Sequence, residues 1–167
     1  MNLLRTSSSL AIFAALGMIA FTGCASFERE WKTGQRQPHV RCFLLNEPRD
    51  PFTGRWEGRW TSAKHHKSSG EAMGGRLRCV LTKLDDRRYE ARFKANWLVF
   101  ASGYTTVFEV ERRAGGLQLQ GEHRMTALFG GVYRYAGRVT PERFAATYDS
   151  SYDHGALEMT RPPPLRR

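Results

Sequence analysis

From Gly54 onward, apolar and polar residues alternate with a period of two, the spacing that sends successive side chains to opposite faces of a β-sheet. The alternation is clearest in two stretches. Tyr89, Ala91, Phe93, Ala95 and Trp97 interleave with Glu90, Arg92, Lys94 and Asn96, and Tyr104, Thr106, Phe108 and Val110 alternate with residues that include Glu109 and Glu111. Ahead of them, one strand sets Trp56, Gly58 and Trp60 against Arg55, Glu57 and Arg59, and a second carries Leu77, Cys79 and Leu81. Four more run from Gly116 to His123, Gly131 to Val139, Arg143 to Tyr148 and Gly155 to Arg161, separated by Gly, Pro or Asp-rich breaks. No helix longer than a turn is predicted. Short strands joined mostly by tight turns predict an all-β fold, an eight-stranded antiparallel up-and-down β-barrel, because closure removes exposed sheet edges. A β-sandwich is the alternative. Large residues alternating with small ones, as in Trp56-Gly58-Trp60 and Ala91-Phe93-Ala95, suit the narrow interior of a barrel of this size.

In an up-and-down meander the turns alternate between the two ends of the barrel. The even-numbered connections are short and polar: Asp85-Asp86-Arg87-Arg88, Arg113-Ala114-Gly115-Gly116 and Thr140-Pro141-Glu142. They predict a closed end. The odd-numbered ones are longer or more apolar: Ala63 to Gly75, Leu98-Val99-Phe100, Met125 to Phe129 and Asp149 to His154. They predict a mouth, where Trp97, Phe100, Tyr104, Phe129, Tyr148 and Tyr152 gather. An apolar cavity edged by a few polar groups is the usual form of a small-molecule site, so these six are the expected ligand-binding residues. The competing expectation is a barrel filled by its own side chains.

A chain of 167 residues, 41% hydrophobic and 25% charged, has room for one such domain and excludes a multidomain enzyme. Residues 1–23 read as a signal peptide, with Arg5 as the only early charge and an apolar stretch from Leu10 to Phe21. Twelve residues make about 18 Å of helix, short of a bilayer's hydrocarbon layer of roughly 30 Å. The run Phe21-Thr22-Gly23-Cys24 resembles a bacterial lipobox. That resemblance implies lipidation of Cys24 and a membrane held through the lipid anchor. Ala25, not Asp, follows the cysteine, as in lipoproteins sorted to the outer membrane, so the expected location is the cell envelope, lipid-anchored and facing the periplasm. Residues 24–53 show no sustained period and are expected to be a lipidated tether of about 30 Å, leaving 54–162 as the barrel and 163–167 as a tail. A tether entering at the closed end would turn the mouth away from the membrane.

Gly54-Arg55-Trp56 opening the first strand and Arg161 closing the last resemble the calycin superfamily, the small barrels that include lipocalins, fatty-acid-binding proteins and avidins. The resemblance implies a structural latch in which Trp56 packs under Arg161. A guanidinium over an indole contributes about 0.5–2 kcal/mol. If Cys24 is acylated, Cys42 and Cys79 remain as a pair that could form a disulfide in an oxidising envelope. The competing reading makes Cys79 a small buried hydrophobe.

Charge adds a partner class. The chain carries a formal charge of +10, and residues 51–100 hold 11 Lys and Arg against 5 Asp and Glu. Arg55, Arg59, Arg76, Arg78, Arg92 and Lys94 fall on the outward face of the first three strands, where a basic stripe would meet an anionic envelope lipid or polymer. The alternative is a solvated exterior. Nucleic acid is not an expected partner outside the cytoplasm. His65, His66, His123 and His154 map to the mouth end without metal-binding spacing, so no metal or cofactor is assigned. Asp149, Ser150, Ser151, Asp153 and His154 offer hydrolase-like residue types, but the same run reads as a turn bonding its own backbone. The sequence therefore predicts a non-enzymatic binding or interaction module. A carrier of a small apolar ligand and, last, a hydrolase using the mouth loops are the alternatives.

Overall fold

A computed structural model describes residues 26–33, 50–65, 70–97, 100–125 and 131–164, with all side chains except those of His65, Trp97 and Phe100. Eight strands form one closed antiparallel barrel: β1 Gly54–His65, β2 Ala72–Lys83, β3 Arg88–Trp97, β4 Phe100–Arg113, β5 Gly116–Arg124, β6 Val132–Val139, β7 Arg143–Asp149 and β8 His154–Thr160. Each strand pairs with its neighbour in sequence, and β8 returns to β1 from Glu57↔Thr160 to Ser62↔Gly155. The first connection is tighter than predicted. β1 continues through a register shift between Thr61 and His65, where His65 pairs with Ala72, so residues 63–65 and 72–75 of the Ala63–Gly75 span belong to strands.

The period-two pattern fixes what points inward. Leu77, Cys79 and Leu81 are buried inside, as are Tyr89, Ala91 and Phe93, and Phe108, Leu119, Phe144 and Met159 face them. Four aromatic rings fill the closed half. Phe93 meets Phe108 and Phe144 edge-on with centroids 6.2 and 6.3 Å apart, and Trp56 meets Phe144 at 6.0 Å. Cys79 is a free thiol, fully buried among these residues, and burial pushes its pKa well above the ordinary value. Cys42 lies outside the described residues, as do Cys24 and the signal segment.

The closed end has a stopper. Phe52 is buried in the core and accepts a hydrogen bond from Trp56 Nε1 at its carbonyl (3.0 Å). Asp50 takes bonds from the Phe52 amide (2.9 Å), Tyr89 Oη (2.6 Å) and Arg112 (3.1 Å). Over it lies Arg161, its guanidinium 3.8 Å from the centroid of Trp56. Arg161 donates to the carbonyls of Thr53 (2.8 Å), Arg55 (3.3 Å) and Pro141 (3.1 Å), and to that of Pro51. One side chain thus ties the stopper, β1, the chain just after β8 and the β6–β7 turn together. Gly115, at φ 74°, makes the tight β4–β5 turn at this end in a conformation that favours glycine.

Two parts of the expected tether are packed structure. Residues 50–53 belong to the stopper, and residues 26–33 form a helix, α1, where none was predicted. α1 lies against the outside of β1–β3. Phe27 and Trp31, one turn apart, stack on each other (6.0 Å) and cover Val80. An eight-residue helix is too short to persist alone in water, so this contact supplies its stability.

Candidate ligand cavity

The mouth half of the barrel is hollow. A cavity of about 380 Å³ is lined by Trp60, Leu77, Ala95, Leu157 and tyrosines 104, 133, 135, 148 and 152, with Met73 and Met125 beside them and Lys64 and Asp153 as its charged members. The volume falls at the small end of ligand pockets, roughly 300–1,000 Å³.

Tyrosines line the hollow. A buried phenol needs a hydrogen-bond partner, so its ring is held where its hydroxyl is satisfied and not where space is best filled. Tyr104 and Tyr135 pack ring against ring, their centroids 6.5 Å apart, and burial raises the pKa of both phenols, that of Tyr135 to about 12. Tyr148 Oη lies 3.0 Å from Asp153 Oδ2 and 3.1 Å from the Thr61 carbonyl oxygen, and burial followed by the Asp153 charge raises its pKa strongly. Ser62 Oγ donates to Asp153 Oδ1 at 2.8 Å and accepts the Lys64 amide at 2.9 Å. Asp153 is placed by the β7–β8 turn, in which Ser150 Oγ takes the Asp153 and Tyr152 amides and the Ser150 amide reaches the Asp153 carbonyl. The carboxylate thus has an acceptor bond on each oxygen.

Two glycines open this wall. A Cβ on Gly155 would strike the Thr61 carbonyl and lie 2.7 Å from Tyr148 Oη, and one on Gly75 would strike the Asn96 carbonyl. The bare Gly75 lets the Trp60 indole cross β2 and donate to that carbonyl at 3.2 Å.

Of the six predicted mouth residues, Tyr104, Tyr148 and Tyr152 line the cavity. The side chains of Trp97 and Phe100, and Phe129 altogether, lie outside the described residues, as do mouth positions 66–69, 98–99 and 126–130. Trp60, Met73, Tyr133 and Tyr135 line it without having been singled out for it, although their inward parity on β1, β2 and β6 was available. His123 packs on Tyr104 (5.1 Å) and burial lowers its pKa; His154 is exposed, and His66 and the His65 side chain lie outside the described residues. Among the described residues no three His, Cys, Asp or Glu side chains gather as a metal site. The Asp149–His154 run is the self-bonded turn: Ser150 and Asp153 serve each other and Tyr148, not His154.

The basic stripe is largely covered. Glu28 of α1 bonds Arg78 (2.5 Å) and Lys94 (2.7 Å), and Glu30 pairs with Arg92, which also reaches Ser26 (2.9 Å). Arg78 and Arg55 stack over Trp31 at 5.0 and 5.4 Å, and Arg76 pairs with Glu57. The outward parity was legible, but the helix whose two glutamates pair with Arg78, Arg92 and Lys94 was not. The Arg78 bond, ahead of that from Lys94, holds the Glu28 carboxyl at about 2.

Fold and site together define a class: a closed eight-stranded up-and-down barrel, solid at one end and hollow at the other. No protein-family model matches this sequence, and no curated protein compared with it is significantly similar. Among the described residues no helix is long and apolar enough to cross a membrane.

Proposed function

We propose that this protein is a membrane-anchored, non-enzymatic binding module that holds a small, mainly apolar ligand in the mouth cavity. One observation carries the reading: the interior is filled by aromatic and aliphatic side chains in one half and left open in the other, within walls that share the same strands. Core packing this uneven leaves apolar surface without partner atoms, which a guest would supply. Lipidation of Cys24 and an outer-membrane address remain the sequence-based part of the proposal.

α1 alters the expected geometry of such an anchor. Ser26, the first described residue of α1, is two residues past Cys24, so an acyl group there sits within about 8 Å of chain from the barrel's flank. The barrel is then held side-on near the bilayer, in place of a mouth pointing away at the end of a free tether. The test of the binding reading is native mass spectrometry of the purified protein. A retained small molecule, lost from Ala95→Trp, supports it; an empty wild-type barrel that also fails to bind the uncharged dye phenylnaphthylamine contradicts it. Labelled fatty acid entering wild type but not Cys24→Ser tests the anchor.

A further inference from the structure

We infer that the ligand of this cavity is an amphiphile with one anionic group, seated at the rim against Lys64; this rests on the binding reading above. Among the described residues the cavity has two charged members in its lining, and they differ in what they already do. Asp153 is committed, one oxygen accepting from Ser62 and the other from Tyr148. Lys64 is not. Its Nζ lies 3.1 Å from the centroid of the Tyr152 ring, and among the described residues it makes no hydrogen bond or ion pair with a carboxylate.

An ammonium over an exposed aromatic face gains only about 0.5–1 kcal/mol and keeps hydrogen-bond donors that point away from the ring for a guest. Tyr152 is 59% exposed, which places this pair at the water boundary and not in the floor. Deeper in, Leu77, Ala95 and Leu157 and the rings of Tyr104 and Tyr135 present mainly apolar surface. The arrangement is polarised: an apolar interior ending, among the described residues, in the Lys64 ammonium and a carboxylate whose oxygens are already bonded. A guest with an apolar body and a carboxylate, sulfonate or phosphate at one end fits both parts. A cationic guest would have to compete with Ser62 and Tyr148 for Asp153 and face Lys64.

Two dyes with nearly the same aromatic body separate the charge from the cavity: anilinonaphthalene sulfonate, which is anionic, and phenylnaphthylamine, which is not. At low salt the wild-type protein should bind the sulfonate at least fivefold tighter. Lys64→Met should weaken the sulfonate about tenfold and leave phenylnaphthylamine within twofold, and Lys64→Arg should restore the preference. Salt should erode the sulfonate's advantage and spare the neutral dye. Equal affinity for both dyes, or a Lys64→Met loss that is the same for both, overturns the anionic assignment and leaves the cavity reading standing. Failure of both dyes to bind in a manner that Ala95→Trp abolishes overturns both.

Discussion

The closed and mouth halves of this barrel share strands, pairing and inward parity, yet one is packed solid and the other encloses space. The closed half uses Trp56, Phe93, Phe108 and Phe144, three of them hydrocarbon rings free to settle where they fill volume. The mouth half uses Tyr104, Tyr133, Tyr135 and Tyr148, the last held through its hydroxyl to Asp153 and Thr61, together with Ala95 and Gly155 where bulk is missing. The lesson is that residue choice at equivalent inward positions, and not topology, decides where a small barrel stays open.

The sharpest way to break this contrast is to make like substitutions in both halves. Phe93→Ala or Phe144→Ala should cost about 3–5 kcal/mol in denaturant unfolding, and Tyr133→Ala at the half-buried mouth less than half of that. Enlargement should split the halves as well. Ala91→Leu overpacks the closed core and should cost about 1–3 kcal/mol, whereas Ala95→Leu, four residues along the same face, should fall within about 1 kcal/mol of wild type. Equal costs would mean the two halves are packed alike.

Arg161→Ala removes the Trp56 stack and the bonds to four carbonyls that seal the closed end. A loss of about 2–4 kcal/mol in urea is expected, with dye binding at the mouth retained in the folded fraction. Asp153→Asn disturbs the mouth instead: about 1–2 kcal/mol of stability, read by the same unfolding curves, with a changed affinity for phenylnaphthylamine.

The smallest effect lies outside both halves. Glu28 has a folded pKa of about 2 against an ordinary 4.5, so its contribution is fully present above 4.5 and is lost as pH falls toward 2. Protection factors of the amides in residues 26–33, with the intrinsic pH dependence of exchange divided out, should therefore fall across that window while those of β3 and β4 hold. In Glu28→Gln the exchange should be faster at neutral pH and lack that acid step.

The eight strands, their order and the two ends were legible because a sheet with one buried face writes its register directly into the alternation, as from Tyr89 to Trp97. Tyr104 and Tyr148 followed from the same pattern, and Tyr152 from the placement of its loop at the mouth. α1 was not legible, since Phe27 and Trp31 give a single i, i+4 repeat in a polar stretch and the partner that makes them helical, Val80 with its flanking cations, is some 50 residues away. The uneven filling was also hidden: parity says which side chains point inward, while the vacancy depends on Tyr148 reaching Asp153 and Trp60 reaching across Gly75, contacts between strands far apart in sequence.

Three methionines beyond the signal segment sample the contrast directly. Met73 and Met125 line the cavity, and Met159 is buried in the closed half against the barrel core. Methyl NMR of these three during titration with phenylnaphthylamine should show the Met73 and Met125 signals moving with saturation while Met159 stays fixed. Signals that all stay put, or a Met159 shift as large as the other two, would contradict a barrel that is hollow at the mouth and solid at its closed end.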